Sequence, residues 1–347
     1  MSELSKDIKE EIYKCSKCGL CRSVCPVFLA TKNEMFLPRG RFIVLNNHIN
    51  NSAMLHKSFI NQLDVCLNCN LCKDFCPSDI DSTKIFTEVK SKYDYKYGMI
   101  PFSLKLKFIF YLEKIKGIFN KNIAVKRRRI NSQKTAKIAF FEGCYNKFVN
   151  PSDKNAVLNI LEKLGYQVDV ISSCCGYPYI SEGNIEKFRK NASNILKIDF
   201  SQYEYIICSC DTCYDTLNKF LEFIPESESF IKKLIRFDEF LKVKDYNYSI
   251  SSNYSYFKPL IRKDDFTLKQ LNKKGYCSLM ENFLLFKYPE ISKVIANNMF
   301  QDENELQNNN IITTCMLTKW GLTKLFRGKN YNVKVLTLAE YLDLYSK

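Results

Sequence analysis

The stretch SSCCGYPY, residues 172–179, sets two cysteines side by side and follows them at once with Gly176 and Pro178. Neighbouring cysteines rarely reach the separation and torsion that a disulfide needs, so the pair is not a bridge within itself. The flanking sequence alternates between two periods. KIAFFEGC (137–144), YQVDVIS (166–172) and YEYIICSC (203–210) read as strands, while SDKNAVLNILEKLG (152–165) and IEKFRKNASNILKI (185–198) carry helical periodicity. Such alternation predicts a parallel α/β sheet with cysteines at the carboxyl ends of its strands, where sites form. In order, the thiols are Cys144, then 29 residues, Cys174–Cys175, then 34 residues, Cys210 and Cys213.

The chain has 347 residues and 46% hydrophobic content, enough for two or three domains. It holds 16 cysteines and two histidines. An even cysteine count suits a secreted disulfide scaffold, but such scaffolds are short. The opening MSELSKDIKEEIYKC has no apolar signal region either, so the expectation is a cytoplasmic chain with reduced, metal-binding cysteines. His48 and His56 lie in the polar stretch NNHINNSAMLHK and are expected at the surface. This leaves little room for His-rich metal sites, haem ligation or Ser–His–Asp catalysis. No apolar run approaches the roughly 18 residues that cross a bilayer.

Outward to the N-terminus, CSKCGLCRSVCP (15–26) and CLNCNLCKDFCP (66–77) both follow C-x2-C-x2-C-x3-C-P. Bacterial ferredoxins use this run to hold 4Fe–4S clusters, three cysteines on one cube and the fourth reaching its neighbour. The expected sets are therefore Cys15, Cys18, Cys21 with Cys76, and Cys66, Cys69, Cys72 with Cys25. Two zinc sites are the alternative, but the doubled run with proline is not typical zinc spacing.

Between the runs, a helical spacer carries Pro38, Arg39, Gly40 and Arg41. This signature and the following CLNCNLCKDFCPSDID resemble the iron–sulfur subunits of glycolate oxidase and anaerobic glycerol-3-phosphate dehydrogenase. Two readings of the arginines stand together: fixed charges that favour reduced clusters, or residues that pack a helix corner. The five thiols from Cys144 to Cys213 resemble the CCG module of heterodisulfide reductase and its relatives. That resemblance implies a third, non-cubane iron–sulfur cluster on Cys144, Cys174, Cys175, Cys210 and Cys213. It answers the twin cysteines, since adjacent thiols can each serve a different iron. Cys208 is expected in the core.

IICSCDTCYDTL (206–217) recurs as IITTCMLTKWGL (311–322), and FDEFL (237–241) as LAEYL (338–342), which predicts a second copy of the module. Its ligand set is eroded. Thr318 stands at the place of Cys213, Leu260 at that of Cys144, and only Cys277 of the twin pair remains. Cys277 and Cys315 are expected as reduced core cysteines, and 246–347 as a structural half or a wall for a partner.

The expected fold is α/β with an all-α N-terminal part. A helical ferredoxin domain spans 1–98, a basic connector 99–136, a complete CCG module 137–245 and a degenerate one 246–347. Of the formal net charge of +15, residues 101–135 contribute ten basic and one acidic side chain. Pro101 starts a predicted amphipathic helix with Leu104, Phe108, Tyr111, Leu112, Ile115, Ile118 and Phe119 on one face, followed by KNIAVKRRRI. The connector either packs as a linker or attaches loosely to the inner face of the cytoplasmic membrane, each basic residue near anionic lipid gaining about 1 kcal/mol. No nucleic-acid fold accompanies the KRRR run, so no nucleic-acid partner is expected.

The resemblance implies an electron-transfer subunit. A separate FAD-containing dehydrogenase or oxidase subunit would oxidise a 2-hydroxy acid (glycolate or lactate) or glycerol-3-phosphate, and electrons would pass through this chain toward quinone. No flavin or nucleotide fingerprint is present, so substrate oxidation is not assigned to this chain. The alternative is a thiol–disulfide reductase at the CCG cluster. That chemistry in the family uses two non-cubane clusters together, and ligands for one are present here.

Overall fold

A computed structural model describes residues 4–51, 55–93, 124–127, 137–259, 288–299, 310–329 and 333–345. The amphipathic helix expected over 101–119, Arg128 and Arg129, Leu260 and Cys277 lie outside the described residues. The described residues form two compact units.

The first unit takes in the described residues up to 93 together with 178–185 and 288–299. It is helical, as its sequence predicts. Helices Lys6–Tyr13, Pro38–Asn51, Lys57–Leu63 and Ser82–Lys92 bury Ile8, Phe42, Leu45, Leu63, Ile85 and Phe86 in one core. Pro38 opens its helix, where its missing N–H costs nothing. Two residues on, Gly40 has no alternative. A Cβ there would stand 2.2 Å from the Glu34 carbonyl oxygen, so the glycine lets the turn before this helix close against it. Lys90 is fully buried, with its ammonium 3.6 Å from Asp64 and donating to the Ser181 carbonyl at 2.5 Å. Burial of that charge is tolerable because both partners are in place.

The second unit holds two sheets. The larger has five strands in the order β1-β3-β2-β4-β5: β1 (Ala124–Arg127), β2 (Lys137–Phe141), β3 (Gln167–Ser172), β4 (Tyr205–Cys208) and β5 (Leu234–Arg236). All pairs are parallel except β1 with β3. The central strands are buried along nearly their whole length, which is why they read as continuous apolar runs. The start of the basic run, Lys126 and Arg127, is sheet edge, with backbone registered against Val170 and Asp169.

The smaller sheet, β6 (Tyr254–Tyr256), β7 (Asn310–Thr313) and β8 (Val335–Thr337), is parallel in the order β6-β7-β8. Its ladders use the pairings of the larger sheet. Ile206, Ile207 and Cys208 face Leu234, Ile235 and Arg236, while Ile311, Ile312 and Thr313 face Val335, Leu336 and Thr337. Likewise Phe140 pairs Ile207, and Tyr256 pairs Ile312. One apolar cluster, including Ile138, Val168, Ile207, Ile312, Leu336 and Leu342, joins the two sheets.

Candidate iron–sulfur sites

The two N-terminal cysteine runs fold alike. In each, the second residue after the first cysteine (Lys17, Asn68) and the fourth (Gly19, Asn70) have left-handed backbones, with φ between 55° and 83°. For non-glycine residues such a conformation costs roughly 1 kcal/mol or more, and its repetition in both loops marks it as a requirement of the site. It wraps the chain so that sulfurs three residues apart line one hollow.

Two hollows result. One, of about 430 Å³, is lined by Cys15, Cys18, Cys21, Cys72 and Cys76, with Arg39 at its wall. The other, of about 390 Å³, is lined by Cys25, Cys66, Cys69 and Cys72, with Arg41 and Thr83. Cys25 stands at the N-cap of the helix Pro26–Thr31, with Pro26 at the first helical position, and lines the second hollow. Among the described residues no three of the His, Cys, Asp and Glu side chains converge on a single-ion geometry.

Burial favours the protonated thiol at three of these cysteines. Burial pushes Cys25 up to about 11, with the nearby Arg41 charge pulling it back. Burial also pushes Cys72 up to about 12, partly offset by its hydrogen bond with the Ser82 hydroxyl, 3.4 Å away. Cys21 is raised for the same reason, offset by the backbone N–H and the charge of Arg39. The arginines of the Pro-Arg-Gly-Arg signature thus stand one beside each hollow. Arg39 also pairs with Glu34 at 2.7 Å, and the buried Arg41 donates to the Gln62 carbonyl and covers the Phe86 ring. These contacts fit the packing reading, and the placement beside the hollows leaves the charge reading to be tested by redox titration.

In the second unit, the structure gathers the five cysteines after the strands β2, β3 and β4. Gly176, which follows the twin pair, has φ +94°, and a Cβ there would meet the Phe188 ring at 2.8 Å. The turn returns its N–H toward the Cys174 sulfur at 3.5 Å, and Asn191 donates to the Cys174 carbonyl. The sulfurs stand in a row joined by hydrogen bonds: Cys174 accepts from Cys144 and Cys175, and Cys213 donates toward Cys175 and Cys210. Cys174 and Cys210 are held well below the usual thiol range by the bonds they accept from Cys144 and Cys213. A row fits an extended cluster better than one ion. Cys208 is buried, makes no hydrogen bond to the row and sits in the core as expected.

Two features escape the sequence reading. Cys315, expected as a core cysteine, continues the row by hydrogen bonding to Cys210. Asp153, fully buried, accepts from Ser209 at 2.6 Å and Thr337 at 2.5 Å, while Asn146 donates to Ser209. The repeat pointed to Cys315 as the counterpart of Cys210, but nothing local could say that the two meet.

Burial raises Asp153 to about 6, its two hydroxyl donors only partly offsetting the effect. A raised carboxyl stabilises the fold below its unfolded value and loses that contribution as pH rises through about 6. The gap from the ordinary 3.8 corresponds to about 3 kcal/mol. Asp153→Asn should therefore lack this slope. Urea unfolding of wild type and variant from pH 4 to pH 7 should show their stability difference shifting by about 2–3 kcal/mol against the wild type; a constant difference would contradict it.

Two family models match the chain. Residues 11–80 match a 4Fe-4S dicluster domain and residues 138–218 a Cysteine-rich domain. The chain therefore carries both. The first match contains all eight cysteines of the paired runs, and the second all five of the row's first members. Curated relatives follow the same two lines. A "Probable glycolate oxidase iron-sulfur subunit" of Bacillus subtilis is 25% identical over 96 residues, 26% of this chain and 22% of that protein. The "Glycolate oxidase iron-sulfur subunit" of Escherichia coli is 22% identical over 187 residues, 47% of this chain and 46% of that protein. A subunit of the "Dihydromethanophenazine:CoB--CoM heterodisulfide reductase" of Methanosarcina acetivorans is 21% identical over 201 residues, 50% of this chain and 48% of that protein. The chain thus spans half or less of the length of each of these relatives.

Proposed function

We propose that this chain is an electron-transfer subunit of an oxidoreductase complex. Cys15, Cys18, Cys21 and Cys76 would hold one 4Fe–4S cluster, Cys66, Cys69, Cys72 and Cys25 another, and Cys144, Cys174, Cys175, Cys210 and Cys213 a third, non-cubane one. The pair of hollows lined by these crossed cysteine sets carries the reading. Bound clusters would supply one-electron carriers. The chain's own part is to shield them, set their charge environment through Arg39 and Arg41, and release the thiol protons as ligands bind.

Electrons would come from a separate FAD-containing subunit oxidising glycolate, lactate or glycerol-3-phosphate and would leave toward quinone. The glycolate oxidase relatives support that direction. Among the described residues no helix is long and apolar enough to cross a membrane. The excess of basic residues in the connector supports contact with the inner membrane face. The repeated ladder pairings support reading 246–347 as a second, degenerate copy of the CCG module. A thiol–disulfide reductase remains the second reading, favoured by the Methanosarcina relative and the long thiol row.

Purification of the complex from native cells under argon separates the two. A co-purifying flavoprotein whose substrate reduces the clusters is the expected result. Cluster-dependent disulfide reduction by the isolated chain, with no flavoprotein partner, would favour the reductase.

A further inference from the structure

We propose that Cys315 is a sixth ligand of the iron–sulfur site in the second unit, so that both sheets of that unit close it. The proposal rests on the reading of Cys144, Cys174, Cys175, Cys210 and Cys213 as cluster ligands. Cys315 follows β7 as Cys210 follows β4, in the same place of a parallel ladder. Each stands two residues past the carboxyl end of its strand.

Two contacts place it there, and two neighbouring residues complete the setting. Its sulfur hydrogen bonds with that of Cys210. It lies 3.4 Å from the hydroxyl of Thr212, between Cys210 and Cys213 in sequence. The backbone N–H of Met316, first residue of the helix Met316–Lys329, bonds the Cys210 sulfur. One turn on, Thr318 occupies the place of Cys213 and buries a hydroxyl oxygen with no hydrogen-bond partner among the described residues. Cys315 therefore lies beside the thiol row and a hydroxyl with unused hydrogen-bonding capacity. Cys208, as deeply buried as Cys315 at 2% exposure, shows the contrast, since it bonds none of the row.

Ligation would form one iron–sulfur bond and break the Cys315 S–H bond, with the proton passing to solvent; no electron is transferred. The cluster would then bridge the two sheets and tie residues more than 100 apart in sequence, as the Thr212–Cys315 contact across 103 positions already does.

The full chain, reconstituted anaerobically with iron and sulfide, provides the test. Wild type, C315S, C315A, C208S and C213S are compared by iron count, electron paramagnetic resonance and the rate of iron loss to a chelator. Signals of the two N-terminal clusters report folding. The expected result is that C315S and C315A shift the third centre's signal and release its iron about tenfold faster, while C208S matches wild type. A C315S or C315A chain whose third centre is indistinguishable from wild type, with C213S losing that centre, overturns the Cys315 assignment alone. A C213S chain with the iron and spectra of wild type overturns the five-cysteine site and Cys315 with it. Should C315S fail to fold, C315A, which introduces no buried hydroxyl, decides.

Discussion

Cys25→Ala should remove the cluster held by Cys66, Cys69 and Cys72 while sparing the one nearest to Cys25 in sequence. The reason is geometric. Cys25 lines the hollow of the second run, and Cys76, 51 positions further along, lines that of the first. A buried site left with three thiolates and an open corner loses a full ligand rather than a tuning contact. About four irons per chain should be lost, with one of the two N-terminal paramagnetic signals. Cys76→Ala should delete the complementary signal. Metal analysis and spectra of the two variants decide it; if Cys25→Ala removes the cluster of Cys15, Cys18 and Cys21 instead, the crossed assignment is wrong.

Arg41→Gln should lower the reduction potential of the cluster in the Cys25–Cys66 hollow. Adding an electron makes a cluster more negative, and a fixed buried cation beside it favours that state. At a spacing of about 7 Å and an effective dielectric of about 20, one charge contributes about 2 kcal/mol, or on the order of 100 mV for a single electron. Arg39, at the other hollow and partly exposed, should matter less to this cluster. Arg41→Gln also gives up the bond to the Gln62 carbonyl and the contact with Phe86, so a stability loss of about 3 kcal/mol should accompany it. Arg41→Lys keeps the charge and should hold the potential near the wild-type value. Redox titration followed by paramagnetic resonance measures all three. Equal potentials in wild type and Arg41→Gln would leave Arg41 a packing residue only.

The ferredoxin part was legible because its information is local. The ligand spacing, the proline after the fourth cysteine and the Pro-Arg-Gly-Arg turn act within a few residues, so each survives as a pattern in the sequence. The strand–helix alternation from 137 to 243 was legible too, because parallel strands buried on both faces leave continuous apolar runs. Cys315 was not, since what decides its role is which sulfur it meets. That contact crosses 105 positions between Cys210 and Cys315 and depends on two sheets registering in the same way. Asp153 was hidden for the same reason. Its partners are distant in sequence, Ser209 just after β4 and Thr337 at the end of β8, and along the helix Pro151–Lys163 it looks like an ordinary first-turn acid. The basic run KRRR was expected as part of a connector, yet its first two residues form an edge strand paired with β3.

Anaerobic purification with iron, sulfide and zinc counted on the same sample tests the account most directly. The expected result is about twelve irons per chain, a similar amount of sulfide and three centres that take up electrons from dithionite. Zinc at the cysteine sites, or a chain with no reducible centre, would contradict it.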